Sequence, residues 1–505
     1  MRNIIITIIL GIIVVLCTSC NTLEKELPTH ELVGATAIVD EQTALTALNG
    51  VYAYLQYDYA QSSIFTPAFS YEYSVAGALM GGLLMGGQRY TFDRALRTFT
   101  VPETDNILPN FYKLLYRIVN AANNVIYYTE LLPETKISID KKAEIIAEAR
   151  FLRGFAHFWF MKIHCYFWDI NSIYGPILRH EPTSIKNLII PRSTVREGYE
   201  SVLADYDNCI EFGPEKHTSV FKICRTAAKA FKAEALMMRG EGSDFANALI
   251  LTNEVITSAD FLLETTYTNV FLQSNDYKPN RETIFSRALS AACIAECLTH
   301  PTSQSPYGVT SYANGSTSSV YTITTEGGGY YKSLIEADAR YAATWGEETV
   351  TSGNPPVAKT GMTMRKIWRS NADCPSYIMR LAQMYIMKAE ALARTGANVT
   401  DIIAPLNVLR LRSGNPALAA ANYPNTDAGK AALMESILNE YVLELGYENS
   451  SEWFAMVRIK DEAGNRLISK FNTYFSTDEQ MCLPIPYDDI VTNKGVLVQN
   501  PTLPL

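Results

Sequence analysis

The chain opens on an apolar run. Ile4 to Leu16 are apolar apart from Thr7 and Gly11, and they follow a short head carrying the single charge of Arg2. This run of 13 residues is short of the roughly 20 that a spanning helix needs, but it suits the apolar stretch of an export signal. Small residues then lead into a cysteine, Thr18-Ser19-Cys20. An apolar run followed by small residues and Cys is what a lipoprotein signal peptidase reads. Residues 1–19 therefore read as a lipoprotein signal peptide, and Cys20 as the lipid-bearing first residue of the mature chain. One position departs from that pattern: Cys17 stands where Leu is usual, with Leu16 one place early. Two or three acyl chains on Cys20 hold a protein to a bilayer far more firmly than one. Residues 20–40, polar and irregular with Pro28 and Gly34, read as the tether behind that anchor.

Helical spacing begins at Glu41. Ala44, Leu45, Leu48, Val51, Tyr52 and Leu55 fall on one stripe, the spacing of an amphipathic helix. Residues 57–100 lose that period. They hold Pro67, a tyrosine-rich stretch and the glycine-rich run Gly77 to Gly87, and read as a loop with room for a short helix. Five amphipathic segments follow: Asn110 to Leu132, Asp140 to about Trp168, Ser193 to Phe212, Arg225 to Arg239 and Asp244 to Ala259. Pro133 and Gly240 act as stops, and Asp140 as an N-cap. From Leu262 to about Ser370 the chain turns to Ser, Thr, Gly, Tyr and Asn with little helical period. Helices resume at Ser376, with stops at Gly396 and Gly414, and the last forty residues are punctuated by proline.

Within the helices a unit repeats. Lys232-Ala-Glu-Ala-Leu236 recurs as Lys388-Ala-Glu-Ala-Leu392, each with Gly four residues beyond the Leu; Ala147-Glu148-Ala149 with Gly154 is a partial third copy. Small residues at fixed places let two helices approach closely, and Gly ends a helix. The pattern resembles tetratricopeptide helix pairs, whose self-similar units stack into an array. The fold expected is mainly α: a tetratricopeptide-like helical-repeat scaffold carrying an irregular, loop-rich region. The divisions expected are a helical part at 41–261 that includes the loop region 57–100, a variable region at 262–375 and a second helical region at 376–505.

Composition narrows the chemistry. The net charge is −9, and no run of Lys and Arg is present that could hold phosphates, which speaks against nucleic acid as a partner. Of nine cysteines, Cys17 leaves with the signal and Cys20 carries lipid; the remaining seven show no CxxC and no neighbouring His pattern, so no zinc site is expected. A Cys293–Cys297 pair stays open. Gly77–Gly87 lacks the GK[ST] of a phosphate loop and reads as a folded loop whose Leu and Met content suits a contact patch. His157 and His164 lie seven apart on an aromatic helix and read as core residues. Glu444 and Glu448 stand at i, i+4, a spacing that allows a glycosidase carboxylate pair and at which like charges repel by only a few tenths of a kcal/mol.

An ordered set of motifs fills the C-terminal third. Ile378-Met-Arg-Leu-Ala-Gln-Met-Tyr-Ile-Met-Lys-Ala-Glu-Ala-Leu-Ala-Arg-Thr-Gly396 is followed by Pro405-Leu-Asn-Val-Leu-Arg-Leu-Arg412, Glu440-Tyr-Val-Leu-Glu-Leu-Gly-Tyr-Glu448, Leu483-Pro-Ile-Pro-Tyr-Asp-Asp-Ile490, Asn493 and Val498-Gln-Asn-Pro501. Ala44-Leu-Thr-Ala-Leu-Asn-Gly-Val-Tyr52, Glu148-Ala-Arg-Phe-Leu-Arg-Gly154 and Tyr174-Gly-Pro-Ile-Leu178 precede them. In that order and spacing the chain resembles the SusD/RagB family of outer-membrane nutrient-uptake lipoproteins, over nearly its whole mature length. One departure follows Glu448, where the family usually has Gly, any residue, Arg, Trp, any residue, Asp. This chain reads Asn449-Ser-Ser-Glu-Trp-Phe-Ala455, which puts the local packing in question.

The resemblance implies a cell-surface protein of the outer membrane, anchored through Cys20 and facing outward. It would capture oligosaccharide, or in some branches peptide, and pass it to a SusC-like TonB-dependent barrel transporter, with no catalytic residues, cofactor or metal. A peptide- or glycoprotein-binding member of the family is the nearer alternative, a surface glycoside hydrolase the more distant one. The chain carries 30 tyrosines against 5 tryptophans. A tyrosine ring offers an apolar face with a polar rim, suited to sugar C–H faces, and loops on a rigid scaffold are where binding residues gather. The candidates are Tyr71, Tyr73 and Tyr90 in the first non-helical region, and Tyr307, Tyr312, Tyr321, Tyr330, Tyr331 and Trp345 in the second.

Overall fold

The computed structural model describes residues 37–55, 71–86, 91–106, 108–271, 280–286, 321–323, 329–352, 357–364, 377–493 and 495–501. Helix α1 (Glu41–Ala53) starts where the stripe predicts. Asp40 caps it, its Oδ1 accepting from the Thr43 amide at 2.9 Å, and Ala44, Leu48, Val51 and Tyr52 are buried. Five long helices come farther along: α4 (Leu108–Glu130), α5 (Ile139–His164), α6 (Val195–Phe212), α7 (Arg225–Arg239) and α8 (Asp244–Thr257). Each packs on the next in the chain. Thr194 and Glu197 cap α6 reciprocally.

The array continues across a long excursion. α8 packs directly against α12 (Leu381–Arg394), and α12 against α13 (Val399–Arg412). The two repeat copies sit at matching places, in α7 and α12. Ala233, Ala235, Ala389 and Ala391 are fully buried, so the helices meet at short range. Gly240 (φ 64°) and Gly396 (φ 80°) take the left-handed conformation that ends each helix. The Glu between the alanines pairs inward in both copies: Glu234 with Lys162 at 3.1 Å, Glu390 with Arg458 at 2.7 Å. Burial opposes the charge on Glu390, and Arg458 and Arg394 overcome it, holding its pKa at about 2. The partial copy behaves differently. Gly154 lies inside α5 rather than at its end, and a Cβ there would stand 2.9 Å from that of Asp205 on α6. Its glycine serves close approach, not termination.

The excursion between α8 and α12 holds α9 (Tyr267–Phe271), β2 (Thr283–Ser286), β3 (Tyr321–Ile323), α10 (Tyr330–Glu336), α11 (Tyr341–Thr344) and the antiparallel pair β4 (Trp345–Ser352) and β5 (Val357–Met364). Its neck is closed by β2 pairing with β6 (Tyr377–Arg380). Residues 377–380 are thus a strand, not the first turn of a helix as the periodicity predicts. All four are buried, and a strand buried on both faces has no period to distinguish it from a helix. Phe285 of β2 packs against Phe151, Phe155 and Phe231, joining the neck to α5 and α7.

The glycine-rich run is not a loop throughout. Residues 71–86 form α2 (Tyr71–Met80) and β1 (Leu84–Gly86), and α3 (Thr91–Thr98) follows. Ala78, Leu79, Leu83 and Leu84 are fully buried and Met80 nearly so. The expected contact patch is therefore part of this chain's own core. Gly77 meets Ser450 so closely that a Cβ would fall 2.4 Å from the serine Cβ.

After α13 come α14 (Asp427–Leu445), α15 (Ser451–Arg458) and the short α16 (Tyr487–Thr492). The turn between α14 and α15 accounts for the departure from the family pattern. Asn449 has φ 48°, the left-handed region that favours glycine and that Asn tolerates better than most residues. Ser450 (φ 60°) and Tyr447 (φ 71°) share that region. Their side chains are tied down: Asn449 donates to the Tyr377 carbonyl, and Ser450 Oγ accepts from the Gly77 amide at 3.1 Å. No helix among the described residues is long and apolar enough to cross a membrane.

Candidate ligand-binding face

Two segments nominated from their tyrosines meet in space. β1 pairs antiparallel with β3, placing Leu84 opposite Ile323, Met85 opposite Thr322 and Gly86 opposite Tyr321. The first non-helical region and the variable region thus share one two-stranded ribbon, although more than 230 residues of chain lie between its strands.

A C-terminal segment fixes this ribbon to the scaffold. Asn472 is fully buried, and its Nδ2 donates to the Met80 carbonyl at 2.8 Å and the Arg97 carbonyl at 2.9 Å. One side chain therefore closes the ends of both α2 and α3. Gly82 takes φ 69°, and a Cβ there would lie 2.2 Å from the Phe471 carbonyl oxygen, so only glycine lets the turn before β1 reach that strand of chain. Phe471 meets the edge of the Tyr330 ring at 4.9 Å. Tyr330 hydroxyl donates to Glu435 Oε1 at 2.9 Å and Asn439 Oδ1 at 3.1 Å on α14. Arg97 stands 5.3 Å from the centre of the Tyr474 ring, which is 45% exposed. Ribbon, α3, α10 and residues 471–475 form one connected face.

The nominated residues divide on this frame. Tyr330 lies on the face, half-buried, with its pKa pushed up to about 12 by burial. Tyr71 and Tyr73 lie in the first turn of α2, and Tyr321 in β3. Tyr331 and Trp345 do not face solvent. Tyr331 is 1% and Trp345 2% exposed; the Tyr331 hydroxyl meets that of Tyr447, and the Trp345 indole N–H donates to the same oxygen at 3.3 Å. They form a buried cluster around Tyr447, so both are corrected from ligand candidates to core residues. A Ser- and Gly-rich neighbourhood predicts exposed loop here, but α10 and α11 turn these two rings inward. Tyr90, Tyr307, Tyr312 and Cys20 lie outside the described residues, as do Cys293 and Cys297. Arg97, Asn472 and Tyr474 are additions. Their sequence signal is faint: a Phe-Asn-Thr-Tyr stretch in a proline-punctuated tail.

The residues weighed for other chemistry serve the fold. Glu444 is fully buried between Arg340 (3.0 Å), Arg380 (2.7 Å) and Arg412. Burial opposes its charge, and the three arginines overcome that, so its pKa lies far below the usual carboxylate range. Glu448 pairs with Arg380 at 2.6 Å. A general acid needs the opposite shift and access to substrate. His164 Nδ1 pairs with the Pro484 carbonyl at 2.9 Å, and burial lowers its pKa to about 4. His157 is fully buried and held neutral in the same way. Cys165, Cys209, Cys224 and Cys482 are free and buried. Among the described residues no group of His, Cys, Asp and Glu is placed to hold a metal ion.

Comparison with known proteins agrees with this architecture. A sequence model of the SusD family matches residues 253–502, and a second, described as starch-binding and associating with the outer membrane, matches residues 38–236. SusD-like protein P2 of Formosa agariphila is 22% identical over 487 residues, covering 90% of this chain and 91% of that one. A solved structure described as a laminarin-binding SusD-like protein superposes with a TM-score of 0.66 at 19% identity, over 92% of this chain and 100% of the other. Surface glycan-binding protein A from Bacteroides uniformis gives 0.65 at 18% identity, over 91% and 99%. With both halves matched and the helical array shared, this chain belongs to the SusD family.

Proposed function

We propose that this protein is a surface glycan-binding lipoprotein of the outer membrane, without catalytic activity, that captures nutrient oligosaccharide and hands it to a SusC-like TonB-dependent transporter. The observation that carries this reading is the β1–β3 ribbon. It unites the two tyrosine-bearing regions into one face on a helical scaffold, the arrangement by which rigid elements display binding residues. Further support comes from the company the chain keeps: relatives described as binding laminarin or surface glycan, and a matching family model described as starch-binding and outer-membrane-associated. Cys20 supplies the anchor, residues 20–40 the leash, and the excursion between α8 and α12 the variable, ligand-selecting part.

Affinity electrophoresis against a polysaccharide panel, beside isothermal titration with peptides, tests the ligand. Retardation by at least one glycan that weakens when Tyr474 or Tyr330 is replaced is the expected result. Binding of peptides alone would move the protein to the peptide-capturing alternative, and new reducing ends on incubation with the bound glycan would make it a hydrolase. Co-purification of the full chain with a β-barrel from outer membranes tests the partner.

A further inference from the structure

A concavity lies elsewhere on the scaffold. It has a volume of about 620 Å³ between α4, residues 177–189 and α16, within the roughly 300–1,000 Å³ typical of small-molecule sites. Its wall is built by two adjacent stripes of α4: Tyr112 and Tyr116, and beside them Lys113 and Arg117. The tyrosines are held rigid. Tyr112 packs against Tyr116 at 5.2 Å and Phe160 at 5.3 Å, and Tyr116 hydroxyl exchanges two 3.2 Å hydrogen bonds with the backbone of Ile177. Across the groove, Arg179 is braced by the carbonyls of Asn187 (2.7 Å) and Leu188 (2.5 Å).

The charges are unbalanced. Lys113, Arg117 and Arg179 face a single lining carboxylate, Asp489, in a chain whose net charge is −9. The side chains of Lys113 and Arg117 are exposed and make no hydrogen bond or ion pair among the described residues. Asp489 Oδ2 is buried with no hydrogen-bond partner, although its own main-chain carbonyl is taken by Asn493 at 2.6 Å. A buried acceptor left unpaired costs about 1–3 kcal/mol. Asp489 as a whole lines the groove and is only partly buried, so its carboxylate is within reach of a ligand hydroxyl.

We infer that this groove is a second ligand site, for an acidic oligosaccharide whose carboxylate or sulfate ester lies against Lys113 and Arg117 while a ring hydroxyl donates to Asp489. Such a molecule brings an anion, a hydroxyl donor and an apolar ring face for the tyrosines together. An extended acidic peptide fits less well. It binds through main-chain hydrogen bonds to a strand edge, and the helical wall of α4 has spent its backbone groups internally. The inference does not depend on binding at the β1–β3 face.

Isothermal titration of the full chain with trigalacturonate, its methyl ester, a sulfated chondroitin disaccharide and tetraglutamate is the test. Trigalacturonate or the sulfated disaccharide should bind at least tenfold more tightly than the neutral ester. Lys113→Gln with Arg117→Gln should cost tenfold or more, Asp489→Ala should weaken binding further, and Tyr474→Ala should leave it unchanged. The variants alter groove residues outside the core, and equal melting temperatures check their fold. Equal binding of acid and ester, native-like binding by the double variant, absence of binding to either acidic saccharide, or tighter binding of tetraglutamate would each overturn the inference. Loss of binding in Tyr474→Ala alone would instead assign the acidic saccharide to the other face.

Discussion

Arg380 Nη1 lies 2.7 Å from Glu444 Oε1, and neither side chain reaches solvent. Arg380 closes the neck of the excursion on β6, and Glu444 belongs to α14. Around them Arg340, Arg412, Glu282 and Glu448 complete a buried network. Arg340 comes from beside α11 and Glu282 from beside β2, so the network welds the variable region to the scaffold.

Breaking it should be costly. Removing one partner of a buried ion pair strands the other charge, at about 3–5 kcal/mol. Glu444→Gln should therefore lower the denaturation midpoint sharply in chemical unfolding followed by circular dichroism.

The same network sets an acid limit. The folded pKa of Glu444 lies below its ordinary value of 4.5, so its stabilisation is complete above that value and fades as pH falls toward the folded one. Melting temperature should hold between pH 7 and pH 5 and drop below about pH 4; Glu444→Gln should flatten that drop.

Exposed and buried aromatics should respond in opposite ways. Tyr474 is exposed, so Tyr474→Ala should change stability by no more than about 0.5 kcal/mol and weaken glycan binding about tenfold, near 1.4 kcal/mol. Tyr331→Ala empties a packed site and should cost about 3–5 kcal/mol of stability. Paired melting and binding measurements on the two variants separate the roles.

Gly82→Ala tests how the face is assembled. The left-handed backbone and the nearby Phe471 carbonyl leave no place for a methyl group, so about 1–3 kcal/mol of stability should be lost. Ligand binding should fall more than melting temperature alone accounts for, because β1 shifts.

Much of this was legible in the residues, and the failures have physical causes. The stripe from Ala44 to Leu55, the glycine stops and the Lys-Ala-Glu-Ala-Leu units announced the helical array, because each is a local rule of helix geometry. Tyr377–Arg380 escaped since a strand buried on both faces carries no period. Tyr331 and Trp345 stand among Ser and Gly residues that predict exposed loop, whereas their burial depends on Tyr447, a partner over 100 residues away. Asn472 was silent for the same reason: its role is to bond two carbonyls nearly 400 residues distant. That β1 and β3 would pair is likewise a matter of long-range register, though the tyrosines pointed to both segments.

If the β1–β3 face binds glycan, loss of its exposed Tyr474 ring must weaken that binding. Isothermal titration of the full chain against the polysaccharide retained in affinity electrophoresis, with native protein and Tyr474→Ala side by side, addresses it most directly. Saturable binding by the native chain and about tenfold weaker binding by the variant, at unchanged melting temperature, are expected. Identical affinities for the two, or no binding of any glycan by the native chain, would contradict glycan binding at this face.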